Sequence, residues 1–127
     1  MKLAIMQPYL FPYIGYFQLM KAVDEFIIYD NIEYTKKGWI NRNRILVHGK
    51  DKYITLPLKR DSDFLNIASR EVADSWQREE RQWILNRIKE TYRKAPYFEE
   101  TFLLVEEILF YKGINLFDFL LNSIFVL

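Results

Sequence analysis

Two short apolar runs lie near the start of the chain, at residues 3–6 and 25–29, each of strand length and too short for a helix. Residues 17–23 between them carry a helical pattern. Strand, loop, helix and strand within thirty residues predict a βαβ unit with a buried first strand, parallel pairing and a right-handed crossover. The connection from the first strand to the helix, residues 7–16, is unusual. It holds Pro8, Pro12, Gly15 and four aromatic residues, Tyr9, Phe11, Tyr13 and Tyr16, where an ordinary connection takes about two to six residues. The prolines fix φ and hold the loop in one shape at low entropic cost. Gly15, near the helix start, lets another group approach the backbone, and the free N–H groups of that first turn favour an anion. In such units ligands bind beyond the carboxyl ends of the strands. The loop and Asp30, which closes the second strand, both fall at that edge.

Further on, residues 42–48 and 53–58 are rich in strand formers and are separated by the polar stretch 49–52, which predicts a hairpin with a four-residue turn. Pro57 puts the end of the second strand at an edge or a bend. Residues 67–73 read as a further short strand. A helix is expected over 76–94, capped by Asp74 or Ser75, with Trp76, Trp83, Ile84, Ile88 and Tyr92 on its apolar side. A second helix is expected over 97–111, with Phe98, Phe102, Val105 and Leu109 in one stripe and Gly113 as its C-cap. A third starts near Asn115 and is apolar almost all round, which predicts burial on several sides. One of its faces can pack on the second helix, and nothing in the pattern supplies a cover for the other. Self-association through residues 114–127 is the expected consequence.

The chain of 127 residues fits one domain, with residues 1–73 forming the βαβ unit and hairpin and 74–127 the helical part. Half of it is hydrophobic and 17% aromatic, so large flat side chains fill a core or line a pocket. The net charge of +1 argues against bulk electrostatic binding of nucleic acid. The charge is uneven, however: residues 31–60 carry eight Lys/Arg against Glu33 and Asp51, a local +6, and residues 96–127 carry five acids against Lys112, a local −4. With no cysteine and one histidine, disulfides and thiolate chemistry are excluded and a zinc site is not expected. No secretory signal and no run of about eighteen apolar residues is present, so the expectation is a cytoplasmic chain without a membrane span.

Two stretches carry candidate chemistry. In the loop, Gln7 is a polar amide directly after a strand and needs partners. Residues Pro12-Tyr13-Ile14-Gly15-Tyr16 have the spacing of the Pro-His-x-Gly-His loop of HIGH-type nucleotidyltransferases, with tyrosine at both histidine positions. A tyrosine donates one hydrogen bond but is no cation near neutral pH, so the geometry is kept and the chemistry changed. The alternative is a Pro-aromatic turn that packs over the core. The second stretch, Lys36 to Arg44, is dense in donors: Lys37, Asn41, Arg42, Asn43 and Arg44 surround Trp39. Arg42 and Arg44 share one face of a strand and Asn41 and Asn43 the other. Arginine suits phosphate or carboxylate, and tryptophan stacks on a base or sugar. The alternative here is a solvated hairpin edge whose charges block aggregation. His48, beside the hairpin turn, reads as a surface residue with no partner for acid–base work.

The segment Met6-Gln-Pro-Tyr-Leu-Phe-Pro-Tyr-Ile-Gly-Tyr-Phe17, then Asp30, then Tyr34-Thr-Lys-Lys-Gly-Trp-Ile-Asn-Arg-Asn-Arg-Ile45 closely resemble the WbqC-like family. Thr55-Leu-Pro-Leu58, Trp76 and Tyr92-Arg-Lys-Ala-Pro-Tyr-Phe98 extend the resemblance over the whole chain. It implies an α/β protein in O-antigen or other surface-polysaccharide biosynthesis: an acyl or aminoacyl (glycyl) transferase acting on a nucleotide-linked amino sugar. The alternative is a non-catalytic module that binds a sugar nucleotide or a partner in the same pathway. Family members are usually longer, with a further α/β portion, so the resemblance implies a truncated member with an incomplete Rossmann-like sheet. The expected substrate-binding set is Gln7, Pro8, Tyr13, Gly15, Tyr16, Asp30, Lys37, Trp39, Asn41, Arg42, Asn43 and Arg44. The expected ligand is a nucleotide-sugar or another phosphorylated small molecule, with a nucleotide or acyl donor as co-substrate. No catalytic residue, metal or cofactor is identified, and no specific nucleic acid is expected.

Overall fold

The computed structural model describes residues 1–35, 38–62 and 64–127. The described residues form a mixed α/β fold with two small sheets and four α-helices. Strands β1 (Leu3–Met6) and β2 (Glu25–Ile28) pair in parallel, Leu3 opposite Glu25 through Met6 opposite Ile28. Helix α1 (Ile14–Ala22) joins them, so the βαβ unit is present. Its first strand is not buried as expected. Leu3, Ile5 and Ile27 are 48%, 56% and 44% exposed, whereas Ala4, Met6, Phe26 and Ile28 on the other face are half-buried. On that second face the Tyr16 ring of α1 meets Phe26 edge-on at 5.3 Å. An unbroken apolar run carries no period, so it could not reveal that one side of the sheet stays open.

Strands β3 (Arg42–Val47) and β4 (Lys50–Thr55) form the expected hairpin, Arg42 opposite Thr55 and Val47 opposite Lys50. The turn is two residues rather than four. His48 and Gly49 both take positive φ, 50° and 76°, the hand that matches the twist of paired strands. β4 therefore starts at Lys50, three residues earlier than the polar stretch suggested. Lysines that look like turn residues are common on exposed edge strands. Beyond β4 the chain stays extended: the Leu56 amide donates to the Asn41 carbonyl at 2.7 Å, and Leu58 bridges to Val72.

The strand expected over 67–73 is instead a 3₁₀ turn, Ile67–Ser69, followed by single bridges from Glu71 to Asn115 and from Val72 to Leu58. The long helix expected over 76–94 opens with a wide π turn, Trp76–Glu80, before α2 (Arg81–Tyr92). Neither Asp74 nor Ser75 caps it; Ser75 is itself helical, with no side-chain cap bond. The wide turn shifts the phase of α2. Ile84, Leu85 and Ile88 are buried, but Trp83 faces outward, 56% exposed, with the Arg87 guanidinium 4.4 Å from its ring centroid. Helix α3 (Phe98–Leu109) follows Tyr97, which takes φ 59°. Gly113 is not left-handed and does not cap α3. Helix α4 (Leu116–Val126) starts as expected, with the Asn115 Oδ1 accepting from the Asp118 amide at 3.0 Å.

Both sides of α4 are largely covered within the chain. It packs on α3 and on the 3₁₀ turn, and Trp76 and Tyr111 meet Phe119 edge-on at 6.0 and 5.9 Å. The second cover comes from residues some fifty positions earlier in the chain, which helical periodicity cannot see. Phe125 and Leu127 are the members of α4 and its cap that stay exposed among the apolar residues. The main core lies among the hairpin, the 3₁₀ turn and α2–α4, where Leu56, Ile67, Ile108, Leu116, Phe119 and Leu120 are fully buried. Among the described residues no helix is long and apolar enough to cross a membrane.

Candidate functional site

The connection between β1 and α1 is shaped by its own hydrogen bonds and by the hairpin. Pro8 and Leu10 turn into the interior. The buried Tyr16 hydroxyl donates to the Gln7 carbonyl at 3.0 Å, and Tyr9 reaches the Gln7 side chain at 3.4 Å. The Leu10 amide donates to the Ile40 carbonyl at 3.0 Å. From β3, the Asn43 Nδ2 donates to the carbonyls of Leu10 and Phe11 at 2.9 and 2.7 Å. Phe11, between those contacts and the second proline, takes φ 49°, a conformation costly for a bulky side chain. The effect is to send Leu10 inward and to turn Pro12 and Tyr13 back along the end of β1.

A cleft of about 450 Å³ results, lined by Met6, Tyr9, Leu10, Pro12, Tyr13, Trp39, Asn43 and Arg44. It lies at the carboxyl end of β1, where ligands bind in βαβ units. Its floor is apolar and its rim is aromatic and cationic. The Arg44 guanidinium stands 5.2 Å from the Trp39 ring centroid, and Trp39 lies 6.2 Å from Tyr53 at an interplanar angle of 31°. Arg42 sits 4.6 Å from the Tyr53 ring and 5.8 Å from Trp39, and its Nε donates to the Gly38 carbonyl at 3.0 Å. Arg44 also meets Asp51 at 3.2 Å, an exposed pair of the kind that contributes little and exchanges readily. Among the described residues no carboxylate lines the cleft itself, and an anion at Arg44 would displace the exposed Asp51 from it. The Tyr9 hydroxyl is pushed above the usual phenol range, first by burial and then by neighbouring Tyr29, and stays a neutral donor.

Of the expected binding residues, Tyr13, Trp39, Asn43 and Arg44 converge on this cleft. Arg42 stands behind Trp39 as a stacking partner. Gly15 lies under Tyr13: a Cβ there would fall 2.3 Å from the Tyr13 Cε2, so the missing side chain seats that ring. Pro8, Tyr16 and Asn41 are buried. Asn41 accepts from the Tyr34 hydroxyl and donates to the Leu56 carbonyl, which commits its amide to the fold. Gln7 is held by Tyr16 and Tyr9, and Asp30 is exposed at the end of β2, off the lining of the cleft. Lys37 lies outside the described residues. Only the first of the two tyrosines in the HIGH-like spacing faces the cleft. The second is 1% exposed, with its hydroxyl pushed up to about 12 by burial and then by Tyr9. Sequence reasoning missed Met6, Tyr9, Leu10 and Pro12 as lining residues. Pro8 and Leu10 are buried and Tyr9 and Phe11 half-buried against the core, a division that the run of apolar and aromatic residues does not reveal.

Among the described residues no group of three His, Asp or Glu side chains could hold a metal ion. No solved structure gives a significant match to the chain. The "Uncharacterized protein Rv1507c" of Mycobacterium tuberculosis (strain ATCC 25618 / H37Rv) is 36% identical over 99 residues, which is 78% of this chain but 42% of that protein, so the match spans less than half the relative's length. The WbqC-like protein family matches residues 7–127, from the first residue of the cleft-forming loop to the end of α4. With the match covering nearly the whole chain, the protein belongs to the WbqC-like protein family.

Proposed function

We propose that the cleft binds a nucleotide-linked amino sugar and that the protein transfers an acyl or aminoacyl group to the sugar's amine in surface-polysaccharide biosynthesis. The observation that carries this reading is the convergence of the proline-aromatic loop and the Trp39–Arg44 segment on one cleft of about 450 Å³. Arg44 is suited to a phosphate through two parallel hydrogen bonds, and Trp39 and Tyr13 are suited to stack on a base or sugar ring. The volume is within the usual range for small-molecule sites. In the transfer the amine nitrogen attacks the donor's carbonyl carbon and a C–N bond forms. The C–S or C–O bond of the thioester or acyl phosphate breaks, the leaving group takes that electron pair, and the surplus amine proton passes to solvent. Positioning the amine against an activated carbonyl supplies the acceleration.

A second reading, a binding module without turnover, is favoured by one feature of the lining. Among the described residues, tyrosines and an arginine are its ionisable groups, with no carboxylate or histidine to act as general base. Calorimetric titration with uridine-, thymidine- and guanosine-diphosphate amino sugars tests both readings. Binding should weaken roughly 10- to 150-fold in Arg44→Ala, the loss expected for a charge-assisted hydrogen bond. Arg42→Ala should cost less, since Arg42 acts through Trp39. Unchanged affinity in both variants would remove the cleft from consideration. Tight binding with no amide formed from an acyl thioester would select the second reading.

A further inference from the structure

Behind Asn43 and Arg44 the cleft meets a second concavity, an apolar groove of about 350 Å³ between the inner face of the hairpin and helices α2 and α3. Ile45 and Ile54 form one wall, Ile88 and Tyr92 the floor, and Phe102 and Val105 the far wall. Asn43 and Arg44 line both cavities, and Phe11 closes the groove beside them. We propose that this groove takes the hydrocarbon part of an acyl group, whose carbonyl end then lies at Arg44 beside the cleft.

Several observations converge on that occupant. The walls are apolar on three sides, and the volume is at the low end for small-molecule sites and too small for a helix. Arg44 is shared by the two linings, and its guanidinium lies on the cleft side, against Trp39 and paired with the exposed Asp51, which suits an occupant whose apolar tail fills the groove and whose carboxylate, thioester or phosphoryl head reaches past Asn43 into the cleft and takes the place of Asp51. Of the three described non-glycine residues with positive φ, His48 serves the hairpin turn and the other two lie at the groove. Phe11 is on the lining, and Tyr97 separates two lining residues, Pro96 and Phe98. Strain of this kind gathers at ligand sites when the surroundings enforce it. Here Asn43 enforces it at Phe11 through the carbonyl bonds described above.

The inference rests on the transfer reading and narrows it. A glycyl group would leave the groove empty, whereas a longer aliphatic or aromatic acyl group would fill it. Straight-chain carboxylates from butanoate to dodecanoate serve as probes, titrated calorimetrically into the intact chain. Each added methylene should tighten binding about three- to fourfold until the groove is full, after which affinity levels off. Val105→Trp fills the far wall and should abolish the length dependence while leaving nucleotide-sugar binding unchanged. Phe102→Ala lengthens the groove and should move the plateau to longer chains; it serves as the test should the tryptophan variant not fold. Absence of length dependence, or a length dependence that survives the filled groove, overturns the proposal even where the sugar nucleotide still binds. So does a wild-type chain that sediments as a dimer and dissociates on filling the groove, because a second copy would then be the occupant. Carboxylate binding that persists when no nucleotide sugar binds would instead uphold the groove and discard the cleft reading.

Discussion

The hairpin–helix body and the βαβ unit differ in how fully each covers its own apolar surface. In the body, Leu56, Ile67, Ile108, Leu116, Phe119 and Leu120 have no measurable exposure. In the βαβ unit, Tyr16 is the buried residue of α1, and Leu3, Ile5 and Ile27 stand about half in solvent. The body closes on itself, whereas a two-stranded sheet is marginal in water on its own. The loop fastens one to the other through the Leu10–Ile40 bond and the two Asn43 bonds, and the segment leaving β2 adds bonds from the Ala68 and Ile67 amides to the Asp30 and Ile32 carbonyls. The candidate cleft thus lies at the joint between a self-sufficient part and a dependent one, and its shape depends on few hydrogen bonds.

The largest effect that separates the two parts is expected at Phe119. Phe119→Ala should destabilise the protein by about 3–5 kcal/mol, the usual cost of emptying a large core site. Phe26→Ala, on the half-buried face of β2, should cost clearly less. Urea denaturation of both variants reads the difference, and equal losses would mean that the βαβ unit is as integral as the body.

Alkaline titration should loosen the βαβ unit next, by on the order of 2 kcal/mol. The Tyr16 phenol is raised from 10.0 to about 12 in the folded protein, by burial and then by Tyr9. Below pH 10 folded and unfolded chains both keep this proton and the stability is fully present. Between pH 10 and about 12 the unfolded chain releases it while the folded chain holds it, so stability falls. The loss is complete above about 12. Tyrosinate absorbance followed together with far-ultraviolet circular dichroism should show late ionisation coupled to loss of structure. Ionisation of every tyrosine near pH 10 with the fold intact would contradict the burial of Tyr16.

Asn43→Ala should cost about 1–3 kcal/mol, because the carbonyls of Leu10 and Phe11 lose their donor. The effect should be local. Amide exchange over residues 7–22 should speed up and cleft binding should weaken while α2–α4 keep their protection. Uniform faster exchange along the chain would show that loop and body form one cooperative unit.

The local devices of the fold were legible in the sequence: two short apolar runs, a stiff loop between them, a hairpin, and a helix starting near Asn115. The wide turn at Trp76 was not. Nothing in the side-chain pattern marks a change from four- to five-residue hydrogen bonding, and its phase shift put Trp83 outside. The residue types of the cleft were also legible, since proline, tyrosine, tryptophan and arginine are dense there. Which of them face the ligand was not. Asn41 and Asn43 are two apart and of one type, yet Asn41 is committed to Tyr34 and Leu56 and Asn43 to the loop. Those partners are 7 to 33 residues away, beyond the reach of any local pattern. The groove was invisible for a related reason. Phe98, Phe102 and Val105 make a good core stripe, and that they stop short of full burial depends on how far α3 stands from the hairpin.

At Gly15 stability and binding should part. Its φ is not in the left-handed region and it lies in the first turn of α1, so Gly15→Ala should raise stability by about 0.5–1 kcal/mol. The new Cβ would meet the Tyr13 ring, which is 77% exposed and free to swing away. Nucleotide-sugar affinity should therefore fall while the melting temperature holds or rises. Unchanged affinity would show that the seat of Tyr13 is irrelevant to the cleft.

The smallest effect is expected on the open face of the sheet, where it bears most directly on the contrast between the two parts. Ile5 is 56% exposed and lies opposite Ile27, itself 44% exposed. Ile5→Thr keeps the β-branch that suits a strand and removes apolar surface that already meets water. A substitution at such a position should change stability by no more than about 0.5 kcal/mol. A loss of about 2 kcal/mol or more would mean that Ile5 is covered in solution, since only burial gives an isoleucine that weight. The cover would then have to come from another molecule, and sedimentation velocity would find an association in the native chain that Ile5→Thr weakens. A small loss and a monomeric native chain would leave the face as open as the structure draws it, with the βαβ unit held to the body by its loop and by the segment leaving β2.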